Sequence, residues 1–273
     1  MRILLALALA AVALLLPARG TAAALVGADA PSITAVTTGV LILKALLLFH
    51  ALVLALAPRI RPRGGTGEPL LAWVPADDPR DLSPGQARIA LAVILLVGAA
   101  LRLHDLGAGL WYDEILTLVW YARYPLGYII STFDSQNQHM LYSVLAHGSL
   151  QAFGDSAWAL RLPAALFGIA SLWATYWFGT MITTRRESLL AAALLAASYH
   201  HVWFSQNARG YSGLLFWTLV TSALFLRLLR ARDAADARPA WGPTVAYAVT
   251  SALAVFTHTS AVFVTVAHFL VWC

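Results

Sequence analysis

Apolar residues come in long blocks along this chain, at about 3–16, 33–57, 88–103, 157–182, 188–204, 211–229, 241–257 and 260–273. A helix needs about 20 residues to cross a bilayer, with roughly 17–25 usual. Inside the hydrocarbon every backbone amide must find its partner within the chain, so blocks of this kind fold as helices. The sequence therefore predicts an all-α fold, a polytopic transmembrane helical bundle. The 11% of charged residues compares with about 25% in soluble domains, so each charge that remains needs a reason. The net charge of +5 reflects Arg at helix ends, which makes the lipid bilayer the partner and leaves no case for nucleic acid. Cys273 is the one cysteine, so no internal disulfide can form.

Arginines fix the expected orientation. Arg59, Arg61, Arg63, Arg80 and Arg88 follow the second block; Arg185 and Arg186 follow the 157–182 block; Arg227, Arg230, Arg232 and Arg238 follow the 211–229 block. These loops belong inside by the positive-inside rule. Residues 104–156, 205–210 and 258–259 then face outside, the periplasm in a bacterium. The first block, with Arg2 before it and "TAAA" after it, reads as a signal peptide or a first anchor helix over 1–24. An extra transmembrane helix lies within 25–58, a cytoplasmic linker over 59–87, and the main transmembrane module over 88–273. That module reads as the front part of a longer protein. Lys44 is mid-span, with His50 nearer the inner end. An intramembrane cation is a functional hypothesis by default, set against plain snorkelling or a helix contact.

Three outside stretches gather the unusual polar residues. "LHDLGAGLWYDEILTLVWYARYP" opens a short helical pattern at Tyr112–Asp113–Glu114, too short to span and so expected along the interface. Two acids at a helix start equally suit capping and the helix dipole. On this helix Ile115, Leu118 and Val119 should share an apolar face, with Asp113 and Thr117 on another. "FDSQNQHMLYSVLAHGSLQAFGDSAWALRLP" reads as a polar turn with His139, then a second interfacial helix over about 138–152. There Asp155 or Ser156 caps the next span, and Arg161 can pair with Asp155. "SYHHVWFSQNARGYSGLLFW" reads as an outside hairpin, with Arg209 at the end where the positive-inside rule disfavours it. A guanidinium beside Gln206 and Asn207 suits a phosphate oxyanion, although Arg also snorkels to headgroups.

Paired carboxylates, an Arg, histidines and amides on one side of the membrane suit a reaction on a lipid-borne phosphate. Asp113 or Glu114 would accept the proton of an attacking hydroxyl, and Arg209 would hold the departing phosphate.

The run "LWYDEILTL", then "QHMLYSVLAHGSLQAFGDSAWALRLPAAL", then "SQNARGYSGLLFW" resembles the front module of GT-C membrane glycosyltransferases. It is most similar to the protein O-mannosyltransferase and lipid A aminoarabinose transferase-like group, over residues 88–273. The resemblance implies a long periplasmic first loop with two interfacial helices. It also implies a polyprenyl-phosphate-sugar donor, a hydroxyl acceptor, and an acidic base early in the loop, which falls on Asp113 with Glu114 beside it. Arg209 and Tyr211 match an Ala-Arg-x-Tyr element for the donor phosphate, with Gln206 nearby, and His258 in "FTHTS" matches a His at a later outside helix end. His139, Asp155 and Arg161 are expected to support the site. The chain departs from the family at Asn207, where an acid is common before Ala-Arg, and at His139–Met140, where a Pro pair is common. Both leave the acceptor open. No cofactor is specified; a divalent metal is compatible with the resemblance, but no His/Cys/Asp spacing specifies one.

The implied activity is sugar transfer to a hydroxyl of a protein, lipid or glycan at the outer face of the plasma membrane. A non-catalytic transporter or flippase for lipid-linked sugars would use the same Arg and aromatics, with Lys44 and His50 along its path. A haem subunit would use His200, His201, His258 and His268, but no two pair at one depth.

Overall fold

A computed structural model describes residues 2–56, 81–233 and 241–272. The described residues form helices and connecting turns with no strand, so the chain is an all-α, multi-pass membrane protein. Most of the expected cytoplasmic linker 59–87, and Arg238, lie outside the described residues. The chain divides into two compact units, one of residues 1–67 with 124–134, the other of residues 68–123 with 135–273.

In the first unit, α1 (Arg2–Leu15) bends by 74° into α2 (Ala18–Val26). Pro17 stands at the break and leads into α2 from extended backbone. Lys44 of α3 (Ile33–Leu56) donates from Nζ to the Leu16 carbonyl at 2.7 Å. A cation is favourable at the carbonyl end of a helix, so this lysine joins α3 to the break. His50 bonds the Leu46 carbonyl one turn back, at 2.7 Å. The short α6 (Leu126–Ser131) approaches α2 closely; a Cβ on Gly127 would stand 2.3 Å from the Leu25 carbonyl oxygen.

The second unit is built on α8 (Ala157–Gly179), which packs against α4 (Pro84–Leu103), α7 (Met140–Phe153), α9 (Arg185–Ala197), α10 (Tyr199–Ser205) and α11 (Tyr211–Asp233). The unit also holds α12 (Trp241–Thr257) and α13 (Ala261–Trp272). Helix starts carry their own polar partners. Ser83 and Gln86 make a reciprocal capping box with Pro84 at the first turn of α4, Thr184 and Glu187 do so at α9, and Ser156 caps α8. Of the two candidates for the α8 cap, Ser156 takes the role.

The helices α3, α4, α8 and α11 are each long and apolar enough to span. The block 188–204, expected as one span, is two helices broken at Ser198. Ser198 is extended (φ −64°, ψ 116°) and its hydroxyl accepts from His201 N. At the end of α9 Arg102 donates to Leu195 O at 3.1 Å, which also accepts from Ser198 N, and to Ala196 O at 3.3 Å. Arg102 is fully buried and also meets His201 Nδ1 at 2.6 Å. This arginine, set inside the apolar block 88–103, thus ties α4 to both halves of the broken helix.

Pro163 inside α8 cannot donate a backbone hydrogen bond. The carbonyl it leaves free, Ala159 O, accepts from Ser149 of α7 at 2.6 Å, and Tyr142 donates to Leu160 O at 2.5 Å. Two polar side chains thus stitch α7 to α8. The core beneath is mostly small, with Ala122, Ala146, Ala159, Ala164 and Ala208 around Leu118, Tyr142, Leu150 and Leu160. Small residues let helix backbones approach where lipid supplies no hydrophobic drive.

Gly168 is the tightest such contact. A Cβ there would stand 2.1 Å from Ser205 Oγ and 2.6 Å from Ser205 Cβ. Gly168→Ala should lower stability by about 1–3 kcal/mol through overpacking. Adding Ser205→Gly should restore much of it. Thermal unfolding of the single and double variants in detergent checks this; an unchanged midpoint in Gly168→Ala would show that α10 is free to move.

Candidate active site

The loop between α4 and α5 (Tyr112–Thr117) is held from below by one side chain. Arg161, in the first turns of α8, donates to Leu106 O at 2.9 Å, Ala108 O at 2.7 Å and Gly109 O at 3.0 Å. The same guanidinium forks onto Glu114, Nε to Oε1 at 2.7 Å and Nη2 to Oε2 at 2.6 Å. Both side chains are buried. Glu114 also accepts from Ala208 N at 2.7 Å and from its own helix start, Trp111 N, at 3.2 Å. All four bonds end on the two carboxyl oxygens, and the two-pronged geometry is the strong form of this pairing.

This pairing decides which side of α5 faces inward. Glu114, Thr117, Leu118 and Tyr121 are buried, while Ile115 and Val119 are exposed. The expected apolar face of Ile115, Leu118 and Val119 is therefore split, because the Arg161–Glu114 contact turns the helix. A single π turn at Leu118–Ala122 follows, closed by Arg123 N to Leu118 O at 3.2 Å. Asp155 does not pair with Arg161. It pairs with Arg123 in an exposed contact, and the structure does not bring it to the residues described next.

With Glu114 turned in, Asp113 is left at the surface of the unit, its side chain 35% exposed. Arg209 Nη1 stands 3.7 Å from Asp113 Oδ2, close enough for attraction but too long for a hydrogen bond. Arg209 is itself buried. Its Nη1 donates to Asn137 Oδ1, its Nη2 to the Tyr211 hydroxyl at 3.3 Å, and its Nε has no hydrogen-bond partner. Asn137 in turn donates to Asp113 O at 3.2 Å and Thr117 Oγ1 at 3.4 Å, linking the start of α5 to the guanidinium.

Around Arg209 lies a ring cluster. His139, the residue before α7, is 4.7 Å from His258 and 5.2 Å from Tyr211 between ring centres, and Tyr211 is 5.5 Å from His258. Gly210 N donates to His139 Nδ1 at 2.6 Å. That bond requires a lone pair on Nδ1, which places the proton of the neutral ring on Nε2. Burial, with Arg209 and His258 beside it, pushes His139 down to about 3 from its ordinary 6.5. His258 is lowered too, by burial and by Arg209. Both rings stay neutral near pH 7 as a result. Gly210 is required here: a Cβ would stand 2.9 Å from His139 Nδ1 and 2.9 Å from Thr257 O.

Trp111 donates its indole N–H to Asn207, and Asn207 donates to Trp203 O at 2.6 Å. Gln206 spans to the end of α4, donating to Leu101 O at 3.0 Å and His104 O at 2.6 Å; it anchors a loop rather than lining the cluster. The structure thus brings together Asp113, Arg209, Tyr211, His139 and His258. It places Glu114 and Arg161 directly beneath them and Gln206 to one side. Sequence reasoning missed Asn137 and Arg102. A polar "SQNQ" turn marked the first only as a turn; an Arg inside an apolar block was the available signal for the second. Among the described residues no group of three or more His, Cys, Asp or Glu could hold a metal ion.

The described residues thus form an all-α membrane bundle in which a carboxylate and a buried guanidinium stand close together. The family model described as dolichyl-phosphate-mannose-protein mannosyltransferase matches residues 135–273, and the chain belongs to that family. The matched part holds His139, Arg161, Arg209, Tyr211 and His258, while Asp113 and Glu114 lie before it. No curated protein and no solved structure matches the chain.

Two outcomes are expected. Glu114→Gln leaves the Arg161 charge buried without its counter-ion. Breaking such a pair costs about 3–5 kcal/mol, so the variant should unfold early or fail to accumulate, as thermal unfolding in detergent would show; near wild-type stability would mean the pair is not what holds the loop. For pH, the depressed His139 favours the folded state above the unfolded value of about 6.5, and that contribution is lost as pH falls from there toward 3. His139→Asn should therefore show a shallower loss of thermal stability than wild type between about pH 6.5 and 5, where most carboxylates are still ionised. Parallel pH profiles would contradict a buried neutral His139.

Proposed function

We propose that this chain, a glycosyltransferase of the mannosyltransferase type by its family, moves a sugar from a polyprenyl-phosphate donor to a hydroxyl acceptor at the outer face of the membrane. Asp113 takes the hydroxyl proton, the acceptor oxygen forms its bond to the anomeric carbon, and the bond from that carbon to the phosphate oxygen breaks. Polyprenyl phosphate leaves with the bonding electrons, and the charge it carries is met by Arg209. Attack from the face opposite the phosphate inverts the anomeric centre.

The observation that carries this reading is the partly exposed Asp113 carboxylate 3.7 Å from a buried Arg209 that keeps an unpartnered Nε. A proton acceptor and an anion site thus lie within reach of one bound sugar phosphate, whose anomeric carbon would sit between them. Glu114 we read as a positioning residue, since all its bonds go to Arg161 and to backbone amides. Neutral His139 and His258, with Tyr211, wall the anion site without adding charge. The outer-face reading rests on the Arg asymmetry. Asp81 pairs with Arg185 at 3.3 Å, and Arg230 donates to Met181 O, both at the end of the second unit opposite the site. The flippase reading asked for Lys44 and His50 along a path; both bond to nearby backbone carbonyls instead.

Asp113→Asn keeps the shape and removes the base, so turnover should fall about 10²–10⁴-fold with donor binding largely kept. Arg209→Ala should weaken donor binding by about 1.5–3 kcal/mol, and more than Arg209→Lys, which keeps the charge but loses the fork. The measurement is transfer from polyprenyl-phosphate mannose by purified protein in nanodiscs. Near-normal turnover in folded Asp113→Asn would remove it as the base.

A further inference from the structure

Asn137 stands between the two groups to which the proposed reaction assigns work. It lies in the turn before α7, where its amide N–H donates to Ser135 Oγ at 3.1 Å and Gln138 N donates to Ser135 O at 3.1 Å. Its side chain meets Arg209 at one end and the start of α5 at the other. Arg209 Nη1 donates to Asn137 Oδ1, while Asn137 Nδ2 donates to Asp113 O at 3.2 Å and to Thr117 Oγ1 at 3.4 Å. Thr117 sends its own hydroxyl proton to Asp113 O at 2.9 Å, so a lone pair of that oxygen receives Asn137.

The chemistry of these partners leaves little choice of side chain. A guanidinium has no acceptor and a backbone carbonyl has no donor. Whatever joins them must accept with one atom and donate with another. A carboxamide does both at once and stays neutral. A carboxylate in its place would accept from Arg209 but could not donate to Asp113 O, and its charge would offset that of the guanidinium. An aliphatic side chain would do neither.

The nitrogen that donates to Asn137 is also the one that stands 3.7 Å from Asp113 Oδ2. Opposite charges at this separation attract, yet the two have not closed to hydrogen-bond distance. We propose that Asn137 is a positioning residue, a neutral spacer that holds Asp113 and Arg209 apart; this rests on the reading of those two residues given above. One end of its amide fixes Nη1, and the other fixes the backbone of the acid. A closed pair would turn the carboxylate onto the guanidinium and fill the place of an incoming phosphate. Held apart, the carboxylate keeps a lone pair for the acceptor proton and the guanidinium keeps its charge for the anion.

Three measurements on the full chain in nanodiscs test this. The first is a stability cycle that needs no sugar transfer. Asp113→Asn breaks no direct bond to Arg209 in the wild type, so the unfolding midpoint should move little. In the Asn137→Ala background, where Asp113 can close on Arg209, the same change should lower the midpoint by about 2–4 °C more. Equal shifts in the two backgrounds would overturn the spacer. Should Asn137→Ala fail to fold, Asn137→Ser, too short to bridge, replaces it. The second is the affinity for polyprenyl phosphate. Asn137→Asp is nearly isosteric, and it should weaken binding about tenfold because its charge falls on Arg209. Unchanged affinity in that folded variant would contradict the need for a neutral group. The third is turnover. Asn137→Ala should lower kcat about 10–100-fold, and should add almost nothing to the loss in Asp113→Asn, since it acts through that residue. The same factor lost in both backgrounds would mark Asn137 as merely structural and overturn its positioning role. If the wild type neither binds polyprenyl phosphate nor transfers sugar, the transferase reading falls and the stability cycle by itself decides the spacer.

Discussion

The buried ion pair between Glu114 and Arg161 is the contact on which the rest of the candidate site depends. One guanidinium uses its donors on a carboxylate and three loop carbonyls, and the carboxylate reaches across to the amide of Ala208. Three separate parts of the chain are thereby fixed to one another: the 104–111 loop with the start of α5, the start of α8 and the loop before α11. A charge pair removed from water is a costly thing to assemble. Here the cost is offset because nearly every donor and lone pair finds a partner. The consequence is directional. With Glu114 drawn inward, its neighbour Asp113 is rotated by about 100° around the helix and is left facing Arg209.

Backbone irregularity recurs in the second unit, and polar side chains answer it at two of the three places. Pro163 frees a carbonyl in α8, the α9–α10 break turns two more toward Arg102, and the π turn after α5 shifts the register of that helix. Non-helical backbone at membrane depth is tolerated only where protein satisfies it. Ser149 and Arg102 do so here. Arg102 is also within reach of Gly168, whose hypothetical Cβ would lie 3.1 Å from Arg102 Cδ. The small residue on α8 thus makes room for both the buried arginine and the close approach of α10. Position of the Gln206–Gly210 loop, and hence of Arg209, follows from that packing.

Two arginines at the head of the unit differ in how their donors are used. Arg161 is saturated by a carboxylate and carbonyls. Arg209 has one side-chain amide, one phenol and a distant carboxylate, and its Nε is unpartnered. That Nε is itself buried, as is the unpartnered Nε of Arg102. His139 and His258 are lowered there first by burial and then by Arg209, which both oppose further positive charge.

Much of this was legible in the residues alone. Apolar blocks determined an all-α membrane bundle, because hydrocarbon leaves an open chain no other way to bond its amides. The motif order from Asp113 to Tyr211 pointed to the family that the match over residues 135–273 bears out. The α7 helix was expected at about 138–152 and lies at Met140–Phe153. What periodicity could not decide was pairing. Asp113 and Glu114 are adjacent acids with the same local signals, and only the position of Arg161, 47 residues away from Glu114, separates them. The same holds for Asp155, which was within easy sequence reach of Arg161 but is taken by Arg123, and for the 188–204 block, continuous in hydropathy yet broken at Ser198 where Arg102 collects the carbonyls. Hydropathy is a property of each residue and its neighbours along the chain, so the sequence determines it. Which charge meets which is set by long-range geometry, and only the tertiary structure decides it.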